Sequence, residues 1–180
     1  MFQTGFEEMT ELPIINQSNG VQDASTCREC GGVCCQRMAG LTIPSDFGEP
    51  ETLTQVLVEY LLTGFWAVDW WEGDPREDGD LCQVYFIRPA HTNAIGKLRD
   101  PSWGGTCRLW SETHGCSLQL ENRPFICRML EPEKDIKARK DTGCNFPAGV
   151  SKTSAVIEWI PYQNNIREAM DLIESGQAKK

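Results

Sequence analysis

Four cysteines lie within nine residues of this chain, in the run Cys27-Arg-Glu-Cys30-Gly-Gly-Val-Cys34-Cys35. Two cysteines separated by two residues curl the backbone so that both thiolates face one ion, as in zinc knuckles and iron–sulfur loops. Gly31 and Gly32 remove side chains where the backbone must turn tightly. We therefore predict a glycine-rich loop or knuckle over 27–35 that takes part in metal binding.

Cys34 and Cys35 are adjacent, and neighbouring side chains of an extended backbone point to opposite sides. Two interpretations follow and both stay open. Either one thiol binds metal while the other packs, or the two thiols serve different parts of a larger centre. Thiolate ligands carry negative charge, which cationic neighbours would offset. Arginines stand close to several cysteines in the sequence, at Arg28, Arg37, Arg108 and Arg128.

The second half of the chain carries four more cysteines, with eight, ten and sixteen residues between them. If the chain folds back, these thiols complete the coordination begun by the first cluster. The predicted metal ligands are therefore Cys27, Cys30, Cys34, Cys35, Cys107, Cys116, Cys127 and Cys144. The ninth cysteine, Cys82, lies in an apolar segment and is interpreted as a buried structural thiol.

Charge and hydropathy exclude several classes of protein. The net charge is −9, and an acidic chain repels the phosphate backbone of nucleic acids. The segment 1–13 is acidic where a signal peptide needs basic residues and an apolar run. No stretch reaches the roughly 20 apolar residues of a membrane span. We expect a cytoplasmic protein without a nucleic-acid or membrane partner, and in a reducing cytosol cysteines hold metal more often than they form disulfides.

The pattern of apolar residues, prolines and glycines predicts one small α+β domain over 27–180, preceded by a lead-in over 1–26. Helical spacing of apolar residues indicates a helix that ends near Gly64. Aromatic and β-branched runs at 65–71 and 81–88 indicate a hairpin around an acidic loop. Short strands are expected at 107–110 and 116–120. Further helices are expected at 124–130 (with Asn122 as its cap), 154–159 and 165–175, and a charged connector at 131–143.

The order of these motifs resembles a known family. The first cluster, then Cys107, then Gly115-Cys116, then Arg123-Pro124-x2-Cys127-Arg128 is similar to the YkgJ-like cysteine-cluster family of CxxCxxCC zinc- or iron-chelating domains. Ile43-Pro44-Ser45-Asp46 also resembles the segment that follows the first cluster in such proteins. The resemblance covers roughly 27–128, and it departs from the family pattern in having three residues between Cys30 and Cys34. It implies metal chelation by the matching cysteines.

These observations predict a cysteine-ligated metal-binding protein that holds an iron–sulfur cluster or Zn²⁺ and has an accessory or metal-handling role. Cysteine-only ligation suits both metals. The alternatives are an iron–sulfur-dependent modifying enzyme, similar to the flagellin lysine-N-methylases that the family resembles, and a zinc-scaffolded module that binds a protein partner. The histidines His91 and His114 are interpreted as solvated turn residues. Arg123 and Arg128 are expected to pair with sulfur or backbone oxygen at the site.

Overall fold

The computed structural model describes residues 24–73, 83–94, 96–102 and 104–178, which form one α+β arrangement. The segment 1–23, the acidic loop 74–80 and Cys82 lie outside the described residues. The helices are α1 (Ala24–Glu29), α2 (Val33–Arg37), α3 (Leu53–Leu62), α4 (Phe125–Met129), α5 (Ile136–Thr142), α6 (Lys152–Glu158) and α7 (Gln163–Glu174). The strands are β1 (Trp66–Glu72), β2 (Gln83–Pro89), β3 (Trp110–Ser111), β4 (Gly115–Cys116), β5 (Glu131–Pro132) and β6 (Cys144–Asn145).

The strands pair as three separate two-stranded antiparallel sheets. The long hairpin β1–β2 runs in register from Trp66 opposite Pro89 to Glu72 opposite Gln83, which confirms the predicted hairpin. The two short sheets each fix one cysteine. Cys116 stands opposite Trp110 in β3–β4, and Cys144 stands opposite Pro132 in β5–β6.

The main core lies between helices α3 and α7 and the hairpin. Leu57 and Ile166 are fully buried there, and a group of aromatic rings fills the space beside α3. Phe47 makes edge contacts with Tyr60 at 5.0 Å and with Trp66 at 5.6 Å between ring centroids. The buried Trp159 donates its ring N–H to the carbonyl of Thr42 at 2.8 Å. The indole donor of Trp159 is therefore satisfied inside this core.

The sequence predictions for the longer elements are confirmed, and those for the shorter ones are partly wrong. The predicted loop at 27–35 is instead two short helices, α1 and α2, on either side of the turn at Gly31 and Gly32. The predicted connector at 131–143 contains α5, whose first turn is capped by Asp135 accepting from the Ala138 amide at 2.8 Å. Helix α4 is preceded by Pro124, not capped by Asn122. Helices of five to seven residues show too few turns for an apolar period to stand out.

A buried ion pair fixes α4, the helix that carries Cys127, against the segment at 43–47. Asp46 accepts from the Arg128 guanidinium at 2.6 Å and from the Phe125 amide at 2.8 Å. Both charged side chains are less than a tenth exposed. Arg128 also donates to the carbonyl of Arg123 at 2.5 Å. A charged pair this deeply buried is held by several hydrogen bonds, so loss of one partner leaves the other uncompensated.

Asp46→Ala is expected to lower the free energy of unfolding by about 3–5 kcal/mol, because Arg128 stays buried without its counter-ion. Urea denaturation followed by circular dichroism measures the change. Glu174→Ala is the matched control, since it removes the exposed ion pair with Arg99, whose side chains are 50% and 48% exposed. The control should change stability by less than about 1 kcal/mol. Equal effects of the two substitutions would contradict the role given to Asp46.

Among the helices of 24–73, 83–94, 96–102 and 104–178, none has the length and apolar character of a membrane span.

Candidate metal centre

Seven of the eight predicted cysteine ligands line one cavity of ≈ 230 Å³. The eighth, Cys107, is buried beside them, and its amide donates to the carbonyl of Cys35 at 2.6 Å. All eight are free thiols. The structure therefore brings together residues that are far apart in the sequence. The seven lining cysteines are Cys27, Cys30, Cys34, Cys35, Cys116, Cys127 and Cys144.

The turn between α1 and α2 places the first four of these thiols. Gly31 and Gly32 both adopt left-handed backbone angles, with φ of 70° and 68°. A Cβ at Gly32 would stand 1.9 Å from the ring nitrogen of Trp110, so the turn also needs glycine for space. The predicted tight turn is confirmed. Cys34 and Cys35 follow in α2, where successive side chains point about 100° apart, so the premise of an extended backbone is wrong.

Two further glycines let the backbone approach the sulfur atoms closely. A Cβ at Gly40 would stand 2.1 Å from the Cys127 sulfur, and one at Gly143 would stand 2.6 Å from the Cys34 sulfur. Real Cβ atoms do not come this close to another heavy atom. The absence of a side chain at Gly40 and Gly143 therefore leaves space beside the Cys127 and Cys34 sulfur atoms.

Burial dominates the electrostatics of the inner thiols. It raises the pKa of Cys107 to about 12, and it raises the pKa of Cys35 and of Cys127 well above the usual range. Neighbouring thiols add to the rise, because a second negative charge nearby disfavours ionisation. Without a cation these thiols therefore stay protonated at neutral pH.

Cys34 and Cys144 are in direct contact in the cavity. The Cys144 amide donates to the Cys34 sulfur at 3.2 Å. A hydrogen bond from the Cys144 thiol is the largest cause that lowers the pKa of Cys34 to about 6, and the same contact raises the pKa of Cys144. The two thiols therefore lose their first proton as one unit, and the resulting negative charge lies on the Cys34 sulfur.

Arg123 supplies the main positive charge at the cysteines. Its guanidinium donates to the Cys27 sulfur at 3.5 Å and to the carbonyl of Leu118 at 3.1 Å. Burial lowers the pKa of Arg123, but the charges of Cys116 and Cys27 outweigh burial and raise it overall. The expected pairing of this arginine with sulfur and backbone oxygen is therefore confirmed.

The other arginines divide between the site and the fold. Arg37 lines the cavity, donates to the carbonyl of Asp141 at 2.7 Å and helps to lower the pKa of Cys34. Arg128 pairs with Asp46, and the Arg108 guanidinium lies 5.2 Å from the centre of the Phe65 ring. Proximity in the sequence therefore identified Arg37 correctly as a cationic neighbour of the cysteines, but not Arg108 or Arg128. The expected pairing of Arg128 with a backbone oxygen is confirmed by its hydrogen bond to the carbonyl of Arg123.

The thiols line the cavity without converging on one point. Across 24–73, 83–94, 96–102 and 104–178, no group of three or more His, Cys, Asp or Glu side chains is arranged to hold a metal ion. The donor chemistry nevertheless fits a thiolate-bound metal, since the cavity is lined by sulfur and arginine and kept open by Gly40 and Gly143. Binding would require the thiols to lose protons and to rotate towards the ion.

His91 is a residue that sequence reasoning placed wrongly. It is fully buried rather than solvated. Its Nε2 accepts from the Ala39 amide at 3.2 Å, and its Nδ1 lies 2.6 Å from the Ser102 hydroxyl. Its backbone pairs with that of Cys107. Burial lowers the pKa of His91, so the ring is neutral. His114 is exposed, as predicted.

A second cavity of ≈ 90 Å³ adjoins the cysteine cavity. The side chains of Met38 and Lys152 line both cavities. The polar wall of the small cavity includes Asp69 and Arg88, which form an ion pair at 2.7 Å. Its apolar wall includes Trp70, Trp71 and Phe86. Nothing in the sequence pattern indicated this cavity, because its walls come from distant segments.

No protein-family model matches the chain, and no curated protein or solved structure gives a significant match. The resemblance to the YkgJ-like cysteine-cluster family therefore stays a prediction made from the motifs.

Gly40→Ala is expected to displace the Cys127 side chain, because the added Cβ would stand 2.1 Å from its sulfur. Metal bound per chain, measured by elemental analysis after anaerobic purification, should fall if Cys127 is a ligand. Gly104→Ala is the matched control, since its Cβ meets only the carbonyl of Arg37 at 3.1 Å. An unchanged metal content in Gly40→Ala would contradict ligation by Cys127.

In the metal-free, reduced protein, iodoacetamide is expected to alkylate the Cys34–Cys144 pair before Cys127. The cause is thiolate population, since the pKa of Cys34 is lowered to about 6 while burial raises that of Cys127. Lowering the pH from about 7 to about 5 should slow the reaction at the pair roughly tenfold, as its thiolate becomes protonated. Peptide mapping by mass spectrometry measures the order. Equal rates at both places would contradict the assigned charges.

Proposed function

We propose that this chain is a cysteine-ligated metal-binding protein with an accessory or metal-handling role. The observation that supports it is the gathering of cysteines from α1, α2, β4, α4 and β6 around one cavity. Thiolates are strong ligands for zinc and for iron–sulfur clusters. Chance packing of eight free thiols from both halves of a chain is a poor alternative explanation.

A metal at this place would also stabilise the fold. Ligands from α1 and α2 would be joined through it to ligands from α4 and β6, so metal binding would couple the two halves of the chain. Raised pKa values of the inner thiols favour the neutral form when no cation is present. Metal binding would reverse this balance, because a divalent cation favours the thiolate strongly.

The number of thiols favours iron–sulfur over a single zinc site. A structural zinc ion takes four ligands, and eight candidate cysteines exceed that number. Iron–sulfur clusters are also held by cysteine thiolates, commonly four to a cluster. A cluster with spare thiols or two centres would account for the excess.

The second candidate function is an iron–sulfur-dependent modifying enzyme. The small cavity beside the cysteines favours it, since movement of the shared side chains Met38 and Lys152 would give a small ligand access to the thiols. That cavity has an ion pair of Asp69 and Arg88 on one wall and aromatic rings on the other, and such mixed walls orient small ligands.

Purification without oxygen followed by measurement of iron, sulfide and zinc per chain tests the proposal. A brown sample with matched iron and sulfide is expected if the centre is a cluster. A colourless sample that contains zinc would instead favour the zinc-scaffolded interaction module. Absence of iron, sulfide and zinc, together with free reaction of every thiol, would overturn the metal-binding proposal.

Cys127→Ser is expected to lower the metal bound per chain, because it removes a thiol that lies against Gly40 inside the cavity. Cys82→Ser is the matched control, since Cys82 is predicted from the sequence to be a structural thiol. Elemental analysis and the visible spectrum report both variants. Full metal retention in Cys127→Ser would contradict a site that joins the two halves of the chain.

A further inference from the structure

We infer that the cavity lined by Asp69 and Arg88 is a binding site for a small planar organic cation of the guanidinium class. The cavity encloses ≈ 90 Å³ beside the hairpin β1–β2. The site goes beyond the proposed metal binding and does not depend on it, because none of the described residues that line the cavity is a cysteine.

The guanidinium of Arg88 is already held by the protein. The residue is fully buried, and its Nε donates to the Asp69 carboxylate at 2.7 Å. Its other two nitrogens donate to the carbonyls of Pro89, Asp100 and Ser102 at 3.0, 2.7 and 3.3 Å, and one of them lies 3.2 Å from the Asp100 carboxylate. A guanidinium has five N–H donors, and these contacts direct them at protein oxygens. Arg88 is therefore not available to hold an anion in the cavity.

The buried charges around Arg88 leave one negative charge in excess. Asp69 and Asp100 are two carboxylates beside one guanidinium. His91 contributes no positive charge, because its Nε2 accepts a hydrogen bond from the Ala39 amide and so carries no proton. A buried charge without a counter-ion is costly, so this network favours a ligand that brings a positive charge.

Asp69 is the carboxylate that can accept such a ligand. Asp100 is 2% exposed and accepts from the amides of His91 and Ser102 and from the Ser102 hydroxyl. Asp69 lines the cavity and is 14% exposed. Within the part of the chain that the structure describes, it accepts from Arg88 on one oxygen and from the Trp70 amide on the other, each at 2.7 Å. A carboxylate has about four acceptor positions, so each oxygen retains one, which suits the two parallel N–H donors of a guanidinium or amidinium.

Aromatic rings on the same side of the hairpin complete the site. Alternate residues of a strand lie on one face, which places Trp71 on the face of Asp69, and Phe86 stands opposite Asp69 in the register of β1–β2. Both rings line the cavity. Guanidinium groups stack on aromatic rings and are more weakly hydrated than ammonium groups. The walls therefore favour a planar organic cation over a strongly hydrated one.

Lys152 places a positive charge beside the cavity. The residue is exposed, and its amine contacts the Met38 sulfur at 2.9 Å, whereas the described ion pair of Asp69 is with Arg88. An exposed side chain can move aside when a ligand enters, but its charge repels a cation. Lys152→Gln is therefore expected to strengthen the binding of a cation, whereas it would weaken the binding of an anion.

Isothermal titration calorimetry of the full-length chain with methylguanidinium tests the site. N-methylurea is the matched neutral probe, because it has a similar planar shape without the charge, and acetate is the anionic probe. Methylguanidinium is expected to bind at least about tenfold more tightly than N-methylurea, since charge-assisted hydrogen bonds are stronger than neutral ones. Asp69→Asn and Trp71→Leu are expected to weaken this binding severalfold. Glu174→Gln removes an exposed carboxylate elsewhere and should leave it unchanged.

The outcomes that overturn the site are distinct from those that overturn metal binding, since the metal content of the same samples is measured separately. Equal affinity for methylguanidinium and N-methylurea, a preference for acetate, or no binding of methylguanidinium would overturn the cation site. Weaker binding in Lys152→Gln would also overturn it, with the exposed Lys140→Gln as the matched control.

Two further measurements keep the test decisive. Asp69→Asn removes the charge that faces the buried Arg88, so its fold is checked by circular dichroism, and Lys152→Gln with Trp71→Leu replaces it if it unfolds. Unchanged binding in a folded Asp69→Asn would overturn the site. Acetyl-arginine amide identifies the source of the cation: binding tighter than that of methylguanidinium assigns the site to an arginine side chain, and weaker binding assigns it to a free small molecule.

Discussion

Burial of closely packed thiols is the constraint on which this structure depends. Removal from water disfavours the ionised form of each inner thiol, and a neighbouring thiolate adds to that cost. The inner thiols Cys35, Cys107 and Cys127 therefore carry raised pKa values, whereas Cys34 carries a lowered one because Cys144 and Arg37 support its charge. Under the proposed function, a cation that binds thiolates would offset both costs.

Short elements hold the cysteines, and long-range polar contacts hold those short elements. Helix α4, with five residues, is too short to be stable alone, and the buried pair of Asp46 and Arg128 fixes it to the core. The two-stranded sheets β3–β4 and β5–β6 are equally marginal by themselves. Sheet β5–β6 contacts α2 through the Cys144 amide and the Cys34 sulfur. Sheet β3–β4 contacts the turn between α1 and α2 through the Trp110 ring, which lies against Gly32. Stability of the fold and placement of the thiols are therefore coupled.

The sequence predicted those parts of the molecule that local patterns encode. Helix α3 and the β1–β2 hairpin carry clear apolar periods and ended where glycine or a polar loop predicted. The grouping of cysteines followed from their number and the C-x2-C unit. The contacts of Asp46 with Arg128 and of His91 with Ala39 join residues 82 and 52 positions apart, and no local pattern encodes such pairs. The two-helix form of 24–37 was missed because each helix has at most six residues.

The sizes of the two cavities bear on whether metal binding or catalysis is the primary role. Pockets for organic ligands commonly enclose about 300–1,000 Å³. The cysteine cavity, at ≈ 230 Å³, is smaller and is lined by sulfur, which suits compact inorganic centres. The adjoining cavity, at ≈ 90 Å³, is smaller still. An organic substrate of the proposed modifying enzyme would have to move Met38 or Lys152, the side chains that line both cavities. The proposed metal binding would require the thiols to lose protons and to rotate, which is a smaller change than the admission of an organic substrate.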